Sequence, residues 1–145
     1  MSLKTQADRG IRENKIWISK FMELGKGNWT DKPDDLKRLR DMFLSHLNNY
    51  ERILSLRAIR KAPNWKYELV EIPVELLRAS AHGKLEMRLN SSQRPMPGYC
   101  YVKDVSGNDI YQLYFDGGTE RKLQIKNLLK EYCIVHATWE FEITD

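Results

Sequence analysis

A period-two pattern in the second half of the chain limits its fold more than any other feature. From residue 84 to 90, Leu85, Met87 and Leu89 alternate strictly with Lys84, Glu86, Arg88 and Asn90. Near the end, Cys133, Val135, Ala137, Trp139, Phe141 and Ile143 alternate in the same way with Tyr132, Ile134, His136, Thr138 and Glu140. Only an extended strand puts every second residue on one side, so both segments are predicted strands. The last is expected to be long, with its apolar set on one face. Residues 99–105 and 110–115 flank Ser106-Gly107-Asn108-Asp109, a hairpin signal, and Asp116-Gly117-Gly118 marks the next turn. Residues 122–128 fit either strand or helix.

The first half is mixed. Residues 15–21 are β-branched and aromatic and are closed by Gly25 and Gly27, a strand followed by a loop. Thr30 and Asp31 then offer caps, Pro33 suits a first turn, and Asp34 and Asp35 favour the positive end of a helix dipole. Leu36, Leu39, Phe43 and Leu47 recur at helical spacing, which predicts the main helix over about 33–47, with Lys37, Arg38, Arg40 and Asp41 solvated. His46, near its C-terminal end, is placed to cap. Residues 52–58 alternate again, Pro63-Asn64 breaks them, residues 67–72 form another strand, and Pro73 starts a short helix over about 73–80. The fold class expected is α+β: a mixed, mostly antiparallel sheet with one main and one short helix, in a single domain spanning 1–145.

A hydrophobic fraction of 41% with 30% charged residues excludes a disordered chain. No apolar run approaches the ~20 residues that cross a bilayer, and the first residues lack the apolar core of a signal peptide, so a cytoplasmic location without membrane contact is expected. Cys100 and Cys133 show no metal-ligand spacing and are read as free thiols, with no metal ligands. The net charge of +4 is uneven: residues 1–72 carry 15 Lys/Arg against 10 Asp/Glu, and the remainder 9 against 10. The positive field of the first half suits a polyanionic partner.

That field is concentrated between residues 52 and 66, which hold Arg52, Arg57, Arg60, Lys61 and Lys66, no acid, and Trp65. Cations interleaved with an aromatic match a phosphate backbone with exposed bases, and equally a solvated strand end. Gln93 and Arg94 lie in a loop stiffened by Pro95 and Pro97, where an amide and a guanidinium can meet base edges. Two further readings stay open. One is a non-enzymatic protein-interaction module, such as a phage or mobile-element product. The other binds single strands by stacking on Trp65, Tyr99 and Tyr101. His136, on the less apolar side of the last strand, is expected to make a structural hydrogen bond.

The order of segments resembles the C-terminal portion of a type II restriction endonuclease of the PD-(D/E)xK class. Leu3-Lys4-Thr5-Gln6 is similar to the lysine and its successor in the acid-x-Lys signature, and residues 15–21 to the strand that follows. Residues 67–73, 122–125 and 133–141 resemble later pieces, so the likeness spans nearly the whole chain. The resemblance implies Lys4 as the catalytic lysine, marking the edge of a nuclease site, and duplex DNA as partner; Arg57, Arg60, Lys61, Gln93 and Arg94 are the contacts expected from their charge and placement. Ser2 stands where the family has an acid, and the upstream acid has no counterpart. Mg²⁺ and phosphodiester cleavage are therefore implied only with acids supplied from outside this chain, by a missing segment or a complementary catalytic subunit, and a homodimer is the other partner expected, as for readers of palindromic DNA.

Overall fold

In a computed structural model, described over residues 2–6, 12–25, 33–61, 64–87, 98–116 and 121–142, the expected α+β architecture is present. The elements in chain order are β1 (Ser2–Gln6), β2 (Lys15–Glu23), α1 (Pro33–His46), β3 (Ile53–Lys61), β4 (Asn64–Ile72), α2 (Val74–Arg78), β5 (Lys84–Met87), β6 (Gly98–Lys103), β7 (Asp109–Phe115), β8 (Lys122–Leu129) and β9 (Ile134–Glu142). Short 3-10 turns follow α1, α2 and β8. Residues 122–128, ambiguous by pattern, are strand. Asn127 sits within β8 at φ 55°, a left-handed backbone that asparagine tolerates better than most residues.

The strands divide into two sheets rather than one. The first has the order β1-β3-β4-β9 and the second β2-β8-β7-β6-β5. Among the described strands only β1 and β3 pair in parallel; the other pairings are antiparallel. The hairpin between β6 and β7 forms where the sequence placed it. Asp104 closes it by accepting from the backbone N–H groups of Ser106 and Asn108, both at 2.9 Å, while Gly107 supplies a φ of 86°.

One hydrophobic cluster joins both sheets and the helices. Leu36, Leu39, Phe43 and Leu47 of α1 and the following turn are buried against Ile16 and Phe21 of β2, Ile53 of β3, Val70 and Ile72 of β4, Cys100 of β6, and Leu113 and Phe115 of β7. The Tyr111 hydroxyl donates to the carbonyls of Leu76 and Leu77 at 2.8 and 3.0 Å, tying α2 to the second sheet. Arg40, expected to be solvated, instead reaches the carbonyl of Gly83 at 3.0 Å and links α1 to the segment after α2. Both cysteines are free thiols, and burial pushes that of Cys133 up to about 12. No helix among the described residues is long and apolar enough to cross a membrane.

The last strand departs from its pattern. A bulge opposite the Leu69–Val70 step pairs Val70 with Val135 but Leu69 with Ala137. Neighbours on β4 point to opposite sides, so Val135 falls on one face of the sheet and Ala137, Trp139 and Phe141 on the other. All nine residues of β9 are exposed.

Candidate nucleic-acid interface

The antiparallel register of β3 and β4 puts Arg57 directly opposite Glu68, and both side chains are wholly buried. Arg57 donates to the Glu68 carboxylate and to three backbone carbonyls: that of Arg12, that of Glu13 at 3.1 Å and that of Lys15 at 2.8 Å. Lys130 Nζ meets the second Glu68 oxygen at 3.2 Å. Burial pulls the Arg57 guanidinium down from its ordinary range while Glu68 opposes it. A buried ion pair persists only when such hydrogen bonds offset the desolvation of both charges. The expectation that Arg57 contacts DNA is therefore corrected: it has no exposed surface, and both terminal nitrogens are engaged inside the protein. Its work is to fasten the 12–15 turn, which the backbone N–H of Lys130 also holds through the Asn14 carbonyl at 3.0 Å.

Around this buried pair the surface is ionic. Lys66 Nζ meets Glu13 Oε1 at 2.6 Å, and that hydrogen bond raises the Lys66 pKa. Arg60 and Lys61 end β3, their backbones registered with Trp65 and Asn64. Lys4 lies in β1, in register with Ser55 of β3, which places it on the strand adjoining the one that carries Arg57. Gln93 and Arg94 lie outside the described residues. On the far edge, His136 Nε2 is 2.7 Å from Glu71 Oε1, the structural hydrogen bond expected of it.

The second sheet presents a face that the sequence reading left unassembled. Register puts Tyr99, Tyr114 and Gln124 in one row and Tyr101, Gln112 and Lys126 in the next. Tyr99 stacks on Tyr101 with centroids 5.5 Å apart, and Lys126 Nζ lies 4.0 Å from the Tyr114 ring centre. Trp17 extends the face by donating to Gln124 Oε1 at 2.9 Å. At one end of the face, Arg12, Lys15, Tyr101, Asp109, Gln112, Asn127 and Leu129 line a recess of about 430 Å³. The tyrosines were noticed in the sequence only as a stacking pair. Gln112, Asn127, Arg12 and Lys15 were missed because they come together only when β7, β8 and the 12–15 turn are registered.

Comparison with known proteins decides the family. A family model described as SmaI, type II site-specific deoxyribonuclease, matches residues 1–141. The chain belongs to the SmaI family. The type II restriction enzyme SmaI of Serratia marcescens is 49% identical over 142 residues, an alignment that takes in 97% of this chain and 56% of that enzyme. The chain thus spans about half the length of this SmaI relative. No solved structure matches it. The restriction-endonuclease resemblance is borne out at the level of family.

The described residues do not fit a catalytic metal. No three His, Cys, Asp or Glu side chains among them converge on one point. The two carboxylates nearest the Arg57 seam are already committed, Glu68 to Arg57 and Lys130, and Glu13 to Lys66. For this SmaI-family chain, the arrangement offers cations, amides and aromatic rings rather than a cluster of acids.

Proposed function

We propose that this chain is the DNA-binding part of a type II restriction endonuclease, acting on duplex DNA in the cytoplasm. Membership of the SmaI family across residues 1–141 carries the reading. The excess of Lys and Arg in the first half supports it, because each neutralised phosphate releases counterions on binding. Arg60 and Lys61 supply phosphate contacts at the end of β3, and Gln93 and Arg94 read base edges. Lys4 marks the edge of a cleavage site whose acids come from a complementary catalytic subunit or a further segment. Mg²⁺ chemistry belongs to that completed assembly, with Lys4 positioned by β1 beside the central strand.

The test is titration of the chain into labelled duplex DNA at low and moderate salt, repeated with Mg²⁺ and resolved on a gel. Binding that weakens steeply with salt, without cleavage, is expected. An affinity indifferent to salt overturns the reading. Cleavage by the chain alone overturns the assignment of the acids to a partner.

A further inference from the structure

We propose that the recess bounded by Arg12, Lys15, Tyr101, Gln112 and Asn127 is a subsite for one nucleotide of the bound nucleic acid, its phosphate held by Arg12 and Lys15 and its base or sugar edge by the two amides. The inference rests on the DNA-binding reading above and adds a place to it. Among the described residues neither Arg12 nor Lys15 has an ion-pair partner. Their backbone, by contrast, is over-determined. Arg57 takes the carbonyls of residues 12, 13 and 15, and Lys130 that of residue 14. The clamp fixes where the two cations leave the backbone, so a ligand bears only the cost of ordering their side chains.

The amides are fixed in the same sense. Asn127 Nδ2 donates to Gln112 Oε1 at 2.8 Å, and Gln112 is buried to 8% exposure. That bond leaves Gln112 Nε2 as donor and Asn127 Oδ1 as acceptor, the complementary pair that a base edge needs. The left-handed backbone of Asn127, held at φ 55° inside a strand, is the kind of local strain that persists where surrounding contacts enforce it. Asp109 also lines the recess, and its carboxylate lies 3.7 Å from Lys103 Nζ, a charge balanced at the rim. A volume of about 430 Å³ lies within the usual range for small-ligand sites. The tyrosine rows and Lys126 continue the surface outward, giving the rest of a strand something to lie on.

The experiment is fluorescence anisotropy with a labelled mixed-sequence duplex over a salt series, on the chain and on Arg12→Ala, Lys15→Ala, Asn127→Gly and a control, Lys37→Ala, on the exposed side of α1. Arg12→Ala and Lys15→Ala are each expected to weaken binding about tenfold at low salt and to reduce the salt slope by about one. Asn127→Gly keeps the backbone conformation, so it is expected to weaken binding a few-fold (~3-fold) with the salt slope unchanged, since a neutral contact releases no counterion. Lys37→Ala should stay within about twofold, because Lys37 is exposed on α1 and lines no part of the recess. Thermal melts check the fold, and Arg12→Gln replaces Arg12→Ala if the latter melts early. If the chain binds and all pocket variants match Lys37→Ala, the subsite is overturned while the DNA-binding reading stands. If the unaltered chain shows no salt-sensitive binding, the reading itself fails and the subsite with it.

Discussion

The second sheet and β9, the last strand of the first, carry similar apolar alternation and end in opposite environments. In the second sheet Cys100, Tyr111, Leu113, Phe115, Leu123 and Ile125 have no exposed surface. On β9 of the first sheet, Ile134, Val135, Trp139 and Phe141 stay 49%, 42%, 39% and 53% exposed. Alternation specifies which side of a pleat a residue takes, and nothing in it says whether that side is covered. What holds β9 is its ladder to β4 together with surface contacts: Trp139 stacks on Tyr67 at 6.2 Å, Phe141 meets Tyr67 edge-on at 5.6 Å, and His136 reaches Glu71.

The widest gap between the sheets should appear on truncation. Phe115→Ala is expected to cost about 3–5 kcal/mol, the transfer term plus an unfilled cavity. Phe141→Ala should cost under about 1 kcal/mol, the scale of one exposed aromatic contact. Urea unfolding of the two variants measures both values, and equal losses would break the comparison by showing β9 to be covered in solution.

The seam between the sheets comes next. Glu68→Gln removes the charge opposite Arg57 and leaves a buried guanidinium uncompensated, an expected loss of about 3–5 kcal/mol in the same assay. A loss under about 1 kcal/mol would mean that the backbone carbonyls of residues 12, 13 and 15 suffice to hold Arg57. This residue also shows where the sequence stops being legible. Arg57 sits in a run of five cations without an acid, which reads as a solvated stretch. Glu68 lies eleven positions on, and only the β3–β4 register turns the two into a buried pair. The helix over 33–46 was readable because caps, dipole charges and apolar spacing all agree there. The split into two sheets was not, because strands of either sheet show the same period of two. The recess was hidden for a related reason: its cations and its amides come from segments about a hundred residues apart, and Asn127 is the residue that blurs the strand pattern of β8.

A smaller effect tests how tightly the second sheet takes the segment after α2. A Cβ added at Gly83 would lie 2.9 Å from the carbonyl oxygen of Tyr101 and 2.6 Å from Cys100 Sγ. Backbone cannot yield as a side-chain tip can, so Gly83→Ala is expected to cost about 1–3 kcal/mol by overpacking. An unchanged unfolding midpoint would show that this join is looser than the packing around it.

The smallest effect belongs to the exposed edge and is read in pH. Arg52 donates to Glu71 Oε1 at 2.6 Å and, with His136, holds the Glu71 carboxyl below its ordinary value of 4.5. A carboxyl depressed in the folded state binds fewer protons than in the unfolded chain. Its contribution is therefore complete above 4.5 and is lost as pH falls through the lower folded value. The melting temperature of Glu71→Gln should lie slightly below that of the unaltered chain near neutrality, and the gap should close under acid. The gap produced by Phe115→Ala rests on apolar burial and contains no proton, so it should persist over the same range. If the Glu71 gap stays constant with pH, the ionic attachment of β9 is not what secures the edge, and the contrast between the two sheets reduces to ladder pairing and aromatic contact.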